Sequence, residues 1–229
     1  MSHWQSYRPL LPALVLLAFG SISALAQAEH PITGRPIAPV MSMSGADWLE
    51  RSEREIEELP ETALDKIGIH PGMQVADVGA GVGYFTIRLG KRVGPTGKVY
   101  AVDVQPEMLI RLKERVAQAN LKNVTTILGT EADPKLPAGA LDLVLMIDVY
   151  HELSQPQRVL RNLRETLKPG GRLVLLEYRK EDPHIPIRFE HKMSVAEAKA
   201  ELEAEGFHLE KVLPDLPRQH ILIFKPSTD

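Results

Sequence analysis

Three glycines at alternate positions stand directly behind a short apolar run in the segment Asp77-Val78-Gly79-Ala80-Gly81-Val82-Gly83. Glycine permits a tight turn and lets a ligand approach the backbone closely. A helical pattern follows over Phe85 to Val93. The turn therefore meets the free N–H groups and positive dipole end of a helix. Asp103 lies 20 residues beyond Gly83, at the end of a second apolar run from Lys98 to Val102. A carboxylate at that place can accept both hydroxyls of a ribose. These residues describe a nucleoside-binding crevice at the carboxyl ends of parallel strands.

One spacing separates the candidate nucleotides. A dinucleotide turn needs Gly-x-Gly-x-x-Gly, which makes room for a pyrophosphate at the helix start. Here the third glycine comes one residue early and Tyr84 occupies the last position. Asp77 would also repel a pyrophosphate, whereas it suits the ammonium of an amino acid. The ligand reads as a nucleoside carrying an amino acid, and an NAD-linked oxidoreductase is disfavoured.

The elements that hold this turn alternate in type. Strands are expected over Gln74 to Val78, Lys98 to Val102, Asn123 to Leu128, Leu141 to Ile147, Arg172 to Leu176, Phe207 to Val212 and His220 to Lys225. Helices are expected over Phe85 to Val93, Pro106 to Ala119 and Gln155 to Leu167, each with one apolar face. Another runs from Ser194 to Gly206, where Glu197 completes a capping box. This is an α/β pattern: a doubly wound, mostly parallel, seven-stranded sheet with helices on both faces. The last two strands lack a helix between them, so one antiparallel strand is expected near the C-terminal edge. Upstream, a charged helix from Trp48 to Leu59 and a short one from Thr62 to Ile67 precede the first strand.

Composition narrows the function further. The 229 residues are 44% hydrophobic and fit one domain. Without cysteine there are no disulfides, thiolate metal sites or catalytic thiol. Lys and Arg total 27 against 30 Asp and Glu, with no basic patch, so nucleic acid is not an expected partner. His184, Glu190 and His191 show no metal-ligand spacing, and no metal is expected.

The N-terminus has the order of an export signal. A short polar stretch to Arg8 precedes an apolar run from Leu10 to Phe19, and Ala24-Leu25-Ala26 offers a small-x-small cleavage site. The run is short for a membrane span, which takes about 20 apolar residues. Residues 1–26 are read as a signal peptide, 27–45 as an extended arm and 46–229 as the functional domain with an N-terminal lid helix. The expected location is the bacterial periplasm, with no stable membrane span after cleavage. An uncleaved signal acting as an anchor is the lesser alternative.

The sequence resembles the class I S-adenosylmethionine-dependent methyltransferases. Val75 to Gly83 resembles the family's first motif, and Asp103 its ribose-binding acid. Leu141 to His151 resembles the fourth-strand motif, and Leu167-Lys168-Pro169-Gly170-Gly171-Arg172-Leu173 the entry to the fifth strand. The resemblance implies S-adenosylmethionine as cofactor, held by Asp77, Gly79, Gly81, Gly83, Asp103, Val104 and Asp148. The family often has Gly-Asp-Ala after the third strand, where the Asp meets the adenine. This chain reads Gly129-Thr130-Glu131-Ala132-Asp133, so either Glu131 or Asp133 fills that role. The flanks, including Gly34 to Met41 and Trp48-Leu49-Glu50-Arg51, resemble an exported bacterial subgroup, which argues against a start at Met41 or Met43.

Methyl transfer from a sulfonium is an in-line displacement, so the protein's task is alignment. His151 is the expected base for a protonated acceptor, beside Tyr150, because its ordinary pKa is near neutrality. Trp48, Arg51, Tyr178, Arg179 and His191 are expected around a small-molecule acceptor. The competing reading is an exported cofactor-binding module without turnover.

Overall fold

The computed structural model describes Met1 and residues 28–227. The expected export signal lies, Met1 apart, outside the described residues. Two short helices, α1 (Ala46–Leu49) and α2 (Arg54–Glu57), precede α3 (Pro60–Ile67). Then follow β1 (Gln74–Val78), α4 (Tyr84–Val93), β2 (Lys98–Asp103), α5 (Pro106–Gln118), β3 (Val124–Leu128) and β4 (Leu141–Ile147). The chain continues through α6 (Pro156–Thr166), β5 (Leu167–Arg179), β6 (Lys192–Met193), α7 (Val195–Glu203), β7 (Phe207–Leu213) and β8 (Gln219–Pro226).

Seven strands form one sheet in the order β3-β2-β1-β4-β5-β8-β7. The pairs from β3 to β5 are parallel, and β8 runs antiparallel to both its neighbours. The two-residue β6, too short for any periodicity to reveal, pairs with the end of β5. The strand order reverses between β1 and β4, and the crevice for a ligand opens there, beyond the carboxyl ends.

Period-two alternation on β4 builds both layers of the core. Val144 and Met146 pack with Val159, Leu160 and Leu163 of α6. Leu143 and Leu145 pack on the other face with Leu64, Phe85 and Leu89 from α3 and α4. A strand buried on both faces reads as a continuous apolar run, as Leu143 to Ile147 does. Ser194 caps α7 as expected: its Oγ accepts from Glu197 N at 3.2 Å, and the Glu197 carboxylate accepts from Ser194 N at 3.0 Å.

Two expectations upstream of β1 are corrected. The single helix over Trp48 to Leu59 is broken into α1 and α2. In a continuous helix the Leu49 carbonyl would accept from Glu53 N–H; here it accepts from Arg54 Nη1 at 2.8 Å. The arm also has structure of its own. It turns tightly at His30–Gly34, bridges Glu29 to Pro36, and sends Arg35 onto Glu201 of α7 through two hydrogen bonds of 2.8 and 3.0 Å. Arg35 Nη1 and Ala38 N both donate to the His151 carbonyl, at 3.2 and 3.0 Å.

Gly79 occupies the left-handed region at φ +75°, and a Cβ there would lie 2.4 Å from Val149 Cγ2. Backbone strain and overpacking together should make Gly79→Ala lose about 3 kcal/mol of stability. Urea unfolding measures this directly, and a loss below about 1 kcal/mol would contradict the packing described.

Candidate active site

A cavity of about 490 Å³ opens beyond the carboxyl ends of β1, β2, β4 and β5. That volume suits a small ligand. Its floor is the glycine turn, whose donors are already used. Gly79 N and Ala80 N both donate to the Val102 carbonyl at 2.8 and 2.9 Å. Gly81 N donates to Asp103 Oδ2 at 2.8 Å, and Gly83 N to the Ala80 carbonyl at 2.9 Å. A pyrophosphate would find these four N–H groups taken. Gly83, at φ +87°, is a packing glycine, since a Cβ would lie 2.9 Å from Leu112 Cγ.

Asp103 closes β2 with its second oxygen accepting from Gln105 N at 2.9 Å. A carboxylate has about four lone-pair sites, so each oxygen keeps capacity for a ribose hydroxyl. Asp77, at the end of β1, is 3% exposed and accepts from Thr86 Oγ1 at 2.5 Å. Burial pushes its carboxyl up to about 6; the Thr86 hydrogen bond works against this, Asp103 adds to it, and Arg54 opposes it. The two acids together give this half of the cavity a demand for cationic and hydroxyl groups.

The raised Asp77 pKa gives a pH dependence with a definite sign. A cationic ligand group seated on Asp77 would meet the ionised carboxylate, so its affinity should fall about tenfold per pH unit below about 6 and level off above it. The same shift makes the ligand-free fold lose stability as pH rises from the unfolded value toward about 6, because the native state holds the proton more tightly there. Calorimetric titration from pH 5 to 8 should show the first effect in the native chain and its loss in Asp77→Asn. A flat native profile would contradict it.

Val104 is 42% exposed and lines the cavity. Of the two acids left open by the sequence, Glu131 lines the cavity and accepts from Ser154 Oγ at 2.9 Å. Asp133 instead accepts from Lys135 N at 2.7 Å within its own turn and does not line the cavity.

At the β4–β5 end of the cavity, Asp148 adopts φ +54° and accepts from Gln219 Nε2 at 2.9 and 2.8 Å. Burial, then the neighbouring Glu58 and Glu177, holds its carboxyl well above the usual range. His151 is 1% exposed, and its Nδ1 lies 2.6 Å from Glu177 Oε2. With Nδ1 turned to the Glu177 carboxylate, Nε2 is the nitrogen that faces His191 and the cavity. Burial works to lower the His151 pKa, but the adjacent Glu177 outweighs it and the net direction is upward. His151 Nε2 meets His191 Nδ1 at 3.1 Å. Burial, with His151 beside it, lowers the His191 pKa. Burial raises the Glu152 carboxyl to about 7.

The remaining expected acceptor residues divide. Tyr178 lines the cavity and donates to Glu58 Oε1 at 2.8 Å. Trp48, 40% exposed, stands at the wall. Arg51 stands behind it, stacked 3.7 Å from the Trp48 ring and paired with Glu57 and Glu58. Two positions are corrected. Tyr150 is fully buried in the apolar layer beside α6, away from the cavity. Arg179 donates to the carbonyls of Leu216, Pro217 and Gln219 and so holds the loop before β8.

Several site residues were not singled out from sequence. Glu177 orients His151, and its signal was position: it sits at the carboxyl end of the strand next to β4. Arg54 and Glu58 read as surface charge at helical spacing, yet both are buried beside Asp148. Glu152 and Met41 complete the wall.

Residues 69–214 match the methyltransferase domain family. The ubiquinone/menaquinone biosynthesis C-methyltransferase UbiE of Bordetella parapertussis is 30% identical over 115 residues, 50% of this chain and 44% of the relative. The chain thus spans about half the length of the curated relatives it matches. A crystal structure of a SAM-dependent methyltransferase from Aquifex aeolicus is 32% identical with a TM-score of 0.76, covering 81% of this chain and 98% of that one. Fibrillarin of Aeropyrum pernix, solved with natively bound S-adenosyl-L-methionine, shares the fold at 19% identity and a TM-score of 0.51, over 69% of this chain and 68% of its own. With the glycine turn, the paired acids and the strand order in place, the chain belongs to the class I S-adenosylmethionine-dependent methyltransferases.

Proposed function

We propose that this protein methylates a small acceptor whose ionisable group sits at the His151 corner of the cavity. The observation that carries this reading is the Glu177–His151 pair, buried at the end of the cavity away from Asp77 and Asp103 along the strand order. Asp77 would hold the cofactor ammonium, Asp103 the ribose hydroxyls, Val104 the adenine face and Glu131 the adenine amino group. The cofactor supplies an electrophilic sulfonium methyl. The chain's residues bring a nucleophile within about 3–3.5 Å of it and favour the deprotonated acceptor.

Phe85, Ile147, Pro186 and Ile187 give the same cavity an apolar wall suited to a ring. Similarity to quinone-pathway C-methyltransferases makes a phenol or quinol the first acceptor class to test. The order of charge, apolar run and small residues in 1–26 supports reading the enzyme as exported to the periplasm.

The test is incubation with S-adenosylmethionine and a panel of phenols, catechols and quinols, with mass spectrometry of both products. Equal amounts of S-adenosylhomocysteine and a methylated ring compound are expected. Cofactor binding without methylation of any ring acceptor would remove this acceptor class.

A further inference from the structure

We propose that His151, Glu152 and His191 bind one divalent transition-metal ion in the acceptor corner of the cavity. This rests on the reading of that corner as the acceptor site and names how it works. His151 Nε2 and His191 Nδ1 are 3.1 Å apart, and Glu152 Oε1 lies 3.9 Å from the first and 3.7 Å from the second. A point in the plane of these three atoms is about 2.1 Å from each, the bond length zinc makes to imidazole nitrogen and carboxylate oxygen. Two imidazoles and one carboxylate form a donor set that suits zinc, iron or nickel better than magnesium.

Three further observations support a ligand here. Glu177 holds the far nitrogen of His151 at 2.6 Å, the carboxylate–histidine arrangement that orients a metal-binding imidazole. Glu152, half-buried, has no Lys or Arg within ion-pair distance among the described residues. A His151–His191 hydrogen bond by itself would explain the 3.1 Å contact but would leave Glu152 with no ion-pair partner besides these two imidazoles. All three residues line the cavity, so a metal held by them keeps an open position toward the acceptor. There it would hold an acceptor oxygen as its anion, the released proton passing to solvent through the open cavity, and set it beside the methyl group. Sequence spacing concealed the set, because His191 is 40 positions from His151 and arrives through the β6 pairing.

The experiment uses the full chain, purified without a histidine tag, stripped with a chelator and titrated with Co²⁺ and then Zn²⁺. One equivalent of Co²⁺ should bind with visible d–d absorption, and Zn²⁺ should displace it. His191→Ala and Glu152→Gln should each weaken binding by at least about tenfold, and Glu177→Gln by roughly 10–100-fold. His184→Ala should leave it unchanged. S-adenosylhomocysteine titration of every sample reports folding and the cofactor half separately. No metal binding by a native chain that binds S-adenosylhomocysteine would overturn this inference alone. So would an unchanged metal affinity in His191→Ala and Glu152→Gln. Metal binding without S-adenosylhomocysteine binding would sustain it and overturn the cofactor assignment.

Discussion

Replacing Asp103 by Ala should weaken S-adenosylhomocysteine binding about 100-fold without unfolding the domain. The carboxylate has one lone-pair site spare on each oxygen, and hydrogen bonds to a charged group contribute about 1.5–3 kcal/mol apiece. Losing both to the ribose removes at least about 3 kcal/mol, or two orders of magnitude in affinity. The same change strips Gly81 N and Gln105 N of their acceptor. That adds a stability loss of about 1–3 kcal/mol, which a domain with a typical 5–15 kcal/mol tolerates. Asp103→Asn keeps one acceptor oxygen and should fall between the two. Affinity within about threefold of the native chain in the Ala variant would contradict the assigned ribose site.

The second large effect concerns turnover. With an acceptor in hand, His151→Ala should lower kcat by about 10²–10⁴-fold, the range for losing the means of favouring the deprotonated acceptor. Its S-adenosylhomocysteine affinity should stay within about threefold, because His151 sits at the β4–β5 end and the cofactor acids at the β1–β2 end. Glu177→Gln tests positioning without emptying the space. It should lower kcat while leaving affinity alone, since the amide can no longer fix the imidazole as a carboxylate does. Single-turnover rates, read beside binding, separate these outcomes. A fall in affinity matching the fall in rate would place His151 in cofactor binding instead.

Most of the sheet was legible because its signals are local. β1 and β4 follow from mostly apolar stretches, and the turn after β1 from three glycines in a fixed spacing. Asp103 followed from its place at the end of the next strand. The directions of side chains beyond the strand ends were less accessible. Tyr150 and His151 are adjacent in a tight three-residue turn, so one enters the core and the other the cavity. Arg179 follows Tyr178 on a strand, and period-two alternation sends them to opposite faces. That second correction was within reach of the pattern alone. Contacts between distant segments carry no local signal. Arg35 and Glu201 are 166 positions apart, and nothing near either announces the pair. The same holds for His191, delivered to His151 by two residues of β6.

A nucleoside–amino-acid site in place of a dinucleotide site is tested by one titration. The purified chain should bind S-adenosylhomocysteine in a calorimeter with one site and show no heat of binding with NADH. NADH binding, or no S-adenosylhomocysteine binding by a folded sample, would contradict the reading of Asp77, the glycine turn and Asp103.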